Sequence, residues 1–223
     1  MGRIADRLHL IKSTLPDGVT LVAVSKFHPV GAIMEAYEAG ARDFGESRVQ
    51  ELSGKAPQLP GDIRWHFIGH LQTNKVRQLL PHATLIHSID SVKLLEKVEA
   101  EAARASLTTD VLLQVHVAAE ETKFGFSPEE LAGALTPAFI QNLAHVRIRG
   151  VMGMASNTDD TARIADDFAA LRRCFDTLRS GVFTGNDSFD TLSMGMSHDY
   201  EAALKSGSTM VRIGSDIFGA REY

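Results

Sequence analysis

Disulfides are excluded at the outset, because the chain holds a single cysteine, Cys174. One thiol can neither pair internally nor build a thiolate metal cage, and a reducing compartment is the default for such a chain. Ile164, Phe168, Leu171, Phe175 and Leu178 recur around Cys174 at helical spacing, which predicts an inert, buried thiol. An excess of positive charge is lacking too. The net charge of -5 argues against a broad nucleic-acid footprint and leaves room for a local basic pocket that takes a small anion. Long apolar runs are absent. Arg3, Asp6, Arg7, His9 and Lys12 interrupt the N-terminal segment, so no secretory signal is read, and no stretch reaches membrane-spanning length. These absences predict a soluble, cytoplasmic protein.

Also missing are a Pro/Gly/Ser-rich linker, a low-complexity tract and any repeat beyond an alternation of strand and helix signals. A chain of 223 residues with 44% hydrophobic and 23% charged residues has ordinary globular composition, and one domain over residues 1–223 is expected. Ile4, Leu8 and Ile11 predict an amphipathic helix closed by Pro16-Asp17-Gly18, and the β-branched run from Thr20 to Val24 predicts a strand. Further strands are expected near residues 42–44, 64–68, 84–87, 111–117, 146–154, 191–193 and 210–213, with helices between them. Eight such units in this length match a (β/α)8 barrel, with a doubly wound open sheet as the alternative.

In a barrel, chemistry collects where strands end and loops begin. Lys26 follows the first strand, where a desolvated amine could attack an aldehyde; a solvated surface lysine is the other reading. Ser193 and Ser197 follow the seventh strand, and Gly214 and Ser215 the eighth, so two neighbouring loops offer hydroxyls and small-residue backbone to an anion, or simply form turns. His66, His70 and His87 lack an acidic partner at metal-site spacing, so no metal is expected, and His66 reads as a hydrogen-bonded barrel residue. Met152 and Met154 read as apolar packing beneath the mouth. Lys123, in Glu121-Thr122-Lys123-Phe124, is a second lysine near the mouth and reads first as a charged loop.

Taken in order, Val22-Ala23-Val24-Ser25-Lys26, Phe44-Gly45-Glu46, Val49-Gln50-Glu51, His66-Phe67-Ile68-Gly69-His70-Leu71-Gln72, Leu192-Ser193-Met194-Gly195-Met196-Ser197 and Gly207-Ser208-Thr209-Met210-Val211-Arg212-Ile213-Gly214 resemble the YggS/PROSC family of pyridoxal phosphate homeostasis proteins. The resemblance covers nearly the whole chain. It implies a barrel like the N-terminal part of alanine racemase, a fold-type III pyridoxal phosphate protein, with the cofactor held as an imine on Lys26. Carried over by position, Ser193, Ser197, Gly214 and Ser215 would hold the phosphate and Arg212 would face the pyridine nitrogen. Ser47, His66 and Met152 would complete the pocket. Ser47 stands where many members carry Asn, which puts a ring contact from that amide in doubt.

A permanent cation at the ring nitrogen disfavours its protonation and weakens the cofactor as an electron sink. Racemases of this type also use a second, all-β domain that supplies a tyrosine base, and 223 residues are expected to leave no room for it. Tyr37 and Tyr200 fall in expected helices and Tyr223 is terminal. The leading expectation is therefore a monomeric, non-catalytic carrier that takes part in pyridoxal phosphate homeostasis and passes the cofactor to apo-enzymes. A low-activity racemase or lyase is the alternative, and a barrel enzyme for phosphorylated sugars a third.

Overall fold

A computed structural model describes residues 3–120 and 124–219. Lys123, with Glu121 and Thr122, and Tyr223 lie outside the described residues. Eight parallel strands close on themselves in sequence order, β1 (Thr20–Val24), β2 (Asp43–Glu46), β3 (Arg64–Phe67), β4 (Leu85–Ile89), β5 (Thr109–Gln114), β6 (Val146–Met152), β7 (Thr191–Ser193) and β8 (Met210–Ile213). The β1–β8 seam pairs Val22 with Arg212 and closes the barrel, which excludes the open-sheet alternative.

Helices cover the outside: α1 (Arg3–Thr14), α2 (Val30–Glu38), α3 (Val49–Lys55), α4 (Val76–Leu79), α5 (Val92–Ala105), α6 (Pro128–Ala134), α7 (Pro137–Gln141), α8 (Thr161–Ser180), α9 (Tyr200–Lys205) and α10 (Ser215–Phe218). Ser91 caps α5 by accepting from Leu94 N, and Ser127 with Glu130 forms a capping box on α6. Pro137 starts α7 as a separate helix, because a proline inside a longer helix would remove a backbone donor and clash with the preceding turn. The run expected as one strand to residue 117 stops at Gln114; beyond it Val115 makes an isolated bridge to Phe126, folding the following loop back over the strand end.

Two apolar layers result. The larger lies between barrel and helices and includes Phe44, Trp65, Ile86, Leu113, Phe168 and Val211. Cys174 belongs to it, and burial pushes its thiol up to about 11. The smaller fills the barrel interior with Val22, Leu85, Leu112, Met152 and Met210. The two-residue period of each strand separates them: Val22 and Met210 point inward, their neighbours Ala23 and Val211 outward. No helix of the described residues is long and apolar enough to cross a membrane.

Candidate cofactor site

Strand parity decides what reaches the barrel mouth. Continuing the inward series Val22, Val24 brings Lys26 to the mouth, while Ser25 on the outward series is wholly buried against α3. Lys26 lines a cavity of about 680 Å³ together with Val24, Ile68, Met154, Met196, Ser197, Arg212, Gly214 and Ser215. His28, which stacks on Phe218, and His198, which pairs with Asp199, complete its wall. That volume suits a small organic ligand.

The residues singled out from the sequence divide here. Lys26, Ser197, Arg212, Gly214 and Ser215 line one cavity, although they come from the loops after β1, β7 and β8, from β8 itself and from the start of α10. At Gly214 an added Cβ would approach the Val24 carbonyl oxygen to 3.1 Å, so glycine lets β8 and β1 run close where the cavity begins. Its N–H donates to Ser197 Oγ at 3.4 Å, tying the seventh and eighth loops together.

Ser193, His66, Met152 and Ser47 lie elsewhere. Met152 is packed in the barrel interior, as its apolar character predicts. Ser47 lines a separate depression of about 180 Å³ with Arg48, His70 and Lys75. Gly69 holds it there: a Cβ on Gly69 would lie 2.1 Å from the Ser47 carbonyl oxygen, so these two loops touch through backbone. Ser193 and His66 are buried links in a chain of hydrogen bonds beneath the cavity.

That chain crosses the barrel. Arg212 Nη1 donates to Ser193 Oγ at 2.6 Å and Nη2 to the Gly153 carbonyl at 3.0 Å. Ser193 Oγ meets His87 Nδ1 at 3.1 Å, His87 Nε2 meets His66 Nδ1 at 2.9 Å, and His66 Nε2 meets Asp43 Oδ1 at 3.0 Å. Arginine only donates and a carboxylate only accepts; a series in which Ser193, accepting from Arg212, donates to His87 Nδ1, His87 Nε2–H donates to His66 Nδ1 and His66 Nε2–H donates to Asp43 gives every donor an acceptor. Burial holds the His87 imidazole well below its ordinary value, with the charge of Arg212 adding to the effect, so it is neutral as this series requires.

Asp43 stays ionised. Burial alone would raise it, but hydrogen bonds from His66 and from the exposed Arg64 hold its carboxyl down at about 2. Arg212 stays charged at neutral pH although burial lowers it to about 10, an effect that Asp199 opposes. Sequence reasoning named His66, Ser193 and Arg212 separately and left out Asp43 and the link through His87. The available signal was parity: polar residues at inward positions of five strands have no reason to be there unless they meet.

A primary amine facing hydroxyls, glycine backbone and a buried guanidinium across one cavity suits a small ligand with a carbonyl group and an anionic group. Among the described residues no group of three His, Cys, Asp or Glu side chains is arranged to hold a metal ion.

Residues 1–222 match the family model for the alanine racemase N-terminal domain. The pyridoxal phosphate homeostasis protein of Pseudomonas aeruginosa is 42% identical over 209 residues, covering 93% of this chain and 87% of the relative. Its namesake in Escherichia coli is 37% identical over 212 residues, covering 93% and 88%. PipY of Synechococcus elongatus, solved without PLP, is 38% identical with a TM-score of 0.91 over 97% of this chain and 100% of that one, and the structure solved with PLP bound gives 0.87. Alanine racemase of Clostridium difficile shares the fold, with a TM-score of 0.77 at 14% identity over 99% of this chain and 57% of that one. With identity running along nearly the full barrel, the chain belongs to the pyridoxal phosphate homeostasis protein family, a branch of the alanine racemase N-terminal domain fold.

Proposed function

We propose that this chain binds pyridoxal phosphate on Lys26 and serves as a non-catalytic holder of the cofactor in its cellular homeostasis. The observation that carries the reading is the meeting of Lys26 with Ser197, Arg212, Gly214 and Ser215 on the wall of one cavity. When bound, the cofactor supplies an aldehyde that condenses with a primary amine and releases water. Lys26 provides that amine. Ser197, Ser215 and the backbone at Gly214 hold the phosphate, and Arg212 donates to the pyridine nitrogen. Three residues carried over with these take other parts: Ser193 supports Arg212 from below, His66 extends the same chain of hydrogen bonds, and Met152 packs in the barrel interior. Ser47 acts from the neighbouring depression rather than on the ring.

Arg212 argues for holding over turnover. A carboxylate beneath the ring would favour a protonated nitrogen and strong electron withdrawal, whereas a guanidinium fixed by Ser193 and Gly153 favours the unprotonated one. The two described tyrosines are engaged away from the cavity, Tyr37 with Asp62 and Tyr200 within reach of Thr14. In this reading the protein works in the cytoplasm as a monomer and gives the cofactor up to apo-enzymes.

Purified protein mixed with pyridoxal phosphate should show a visible absorption band, and borohydride should fix a phosphopyridoxyl group on Lys26. Lys26→Ala should lose both; a surviving band would overturn the assignment. His28 and His198 in the same cavity favour testing the racemase or lyase reading as well. Lys26-dependent exchange of an amino acid α-proton at enzymatic rates would replace the carrier with an enzyme.

A further inference from the structure

Behind the barrel wall a second polar cluster reaches the backbone on both sides of Lys26. Lys55 Nζ, at the end of α3, donates to the Ser25 carbonyl at 3.0 Å, to Glu46 Oε1 at 2.8 Å and to Glu51 Oε1 at 2.6 Å. Ser25 Oγ donates to the same Glu46 oxygen at 2.6 Å, and Phe27 N–H donates to Glu51 Oε1 at 2.6 Å. Phe27 has φ 69°, a left-handed conformation that is rare for an aromatic residue and signals backbone held by its surroundings. Glu46 is fully buried, Lys55 nearly so, and Glu46 Oε2 has no hydrogen-bond partner.

We propose that Glu46, Glu51 and Lys55 are positioning residues that clamp the peptide groups flanking Lys26, thereby aiming its amine into the cavity and setting its reactivity toward an aldehyde. The proposal rests on Lys26 being the cofactor anchor. Its logic is geometric: an unstrained lysine at a strand end needs no buried ammonium under its preceding carbonyl and no carboxylate on its following N–H. Outward parity at Ser25 and Glu46, with the one-turn spacing of Glu51 and Lys55 on α3, brings the three side chains together. Lys55 and Glu51 are the charged groups that face Glu46; β1 adds the Ser25 hydroxyl, and β3 presents Trp65 and Phe67.

The clamp is tested in protein both with and without cofactor. In cofactor-free protein, Lys26 is labelled with limiting acetic anhydride across a pH series and its reactivity relative to exposed lysines is read by peptide mass. Wild-type Lys26 should show an additional inflection near neutral pH, which Glu46→Gln should remove. Borohydride fixation of phosphopyridoxyl at limiting pyridoxal phosphate should fall about tenfold in the double variant Glu46→Gln/Lys55→Met, which leaves no unpaired charge at either position. It should fall severalfold in Glu51→Gln, which keeps an acceptor for Phe27 N–H, and Lys55→Arg should recover part of the loss seen in Lys55→Met. Fixation within twofold of wild type in both the double variant and Glu51→Gln, with unchanged labelling of Lys26, would overturn the clamp. If wild-type Lys26 took no phosphopyridoxyl at all, the anchor reading would fail instead, while the acetylation series would still decide whether the clamp tunes this amine.

Discussion

Inside the barrel, a chain of hydrogen bonds links Arg212 to Asp43 through Ser193, His87 and His66; behind the wall, two carboxylates share one ammonium and one buried oxygen has no partner. The first network has a cation at one end, an anion at the other and a neutral His87 between them. With Asp43 at about 2 and Arg212 at about 10, it keeps its charges across the physiological range. The second has a surplus carboxylate in a buried place. Burial pushes Glu46 up to about 7 even though Lys55 and Ser25 hydrogen bond to its ionised form. Matching therefore yields a rigid support under the Arg212 side of the cavity, and mismatch yields a titrating group beside the Lys26 side.

Breaking the matched chain in its middle should cost the most. Ser193→Ala removes the partner of Arg212 Nη1 and of the wholly buried His87 Nδ1, a loss of about 2–3 kcal/mol at the cost of a buried unsatisfied donor and acceptor. Urea unfolding at neutral pH measures it. A change under about 0.5 kcal/mol would show that the chain is not an ordered series of hydrogen bonds. The same variant should shift the visible band of the cofactor-loaded protein, because Arg212 then lacks its support.

Both networks show what was readable in advance. The eight strands were legible from short apolar or β-branched stretches between turn and helix signals, the polar β2 and β3 least clearly, and their number pointed to a barrel over the open sheet that closure excludes. Lys26, Ser197, Gly214 and Ser215 were legible because they follow strand ends, whereas Arg212 lies within β8 and its role came from the family resemblance; all five line one cavity. Depth was not legible. Ser193 and Ser197 lie four residues apart in one segment, yet Ser193 still belongs to β7 and faces the interior while Ser197 lies in the loop above it. Ser47 follows β2 as Lys26 follows β1, but contact with Gly69 turns its loop toward another depression. Long-range partnership was hidden as well: the span from Ser193 to His87 covers 106 residues, and no local pattern links them.

The mismatched cluster predicts an unusual pH dependence. Glu46 titrates at about 7 in the folded protein against an ordinary 4.5, so folding favours its protonated form. Its ionised form is penalised; stability is greatest below the unfolded value and is lost as pH rises through the folded one. Wild-type protein should therefore gain about 2 kcal/mol between pH 7 and pH 5 from this group alone. His87, held neutral in the fold, acts in the opposite sense over that window in wild type and variant alike, so the readout is the difference between wild type and Glu46→Gln in the same urea series, which should move by about that amount in favour of wild type. A difference that does not change with pH would mean the surplus charge is neutralised by some other means. Asp43 acts in the opposite sense at lower pH: its depressed value contributes stability above the unfolded value that is lost as pH falls toward 2.

The smallest effect expected is at the outer end of the matched chain, where Asp43 has two kinds of partner. Its bond to His66 is buried, whereas Arg64, which grips it through Nε at 2.7 Å and Nη2 at 2.5 Å, leaves 54% of its side chain in solvent. Solvent screens an exposed pair, so Arg64→Ala should cost less than about 1 kcal/mol despite the bidentate geometry. What it removes is a factor holding the Asp43 carboxyl down, so the acid limb of the stability curve should move to higher pH while the neutral plateau barely changes. A plateau loss as large as that of Ser193→Ala would place Arg64 inside the chain rather than at its edge, and the support under Arg212 would then extend to the outer rim of the barrel.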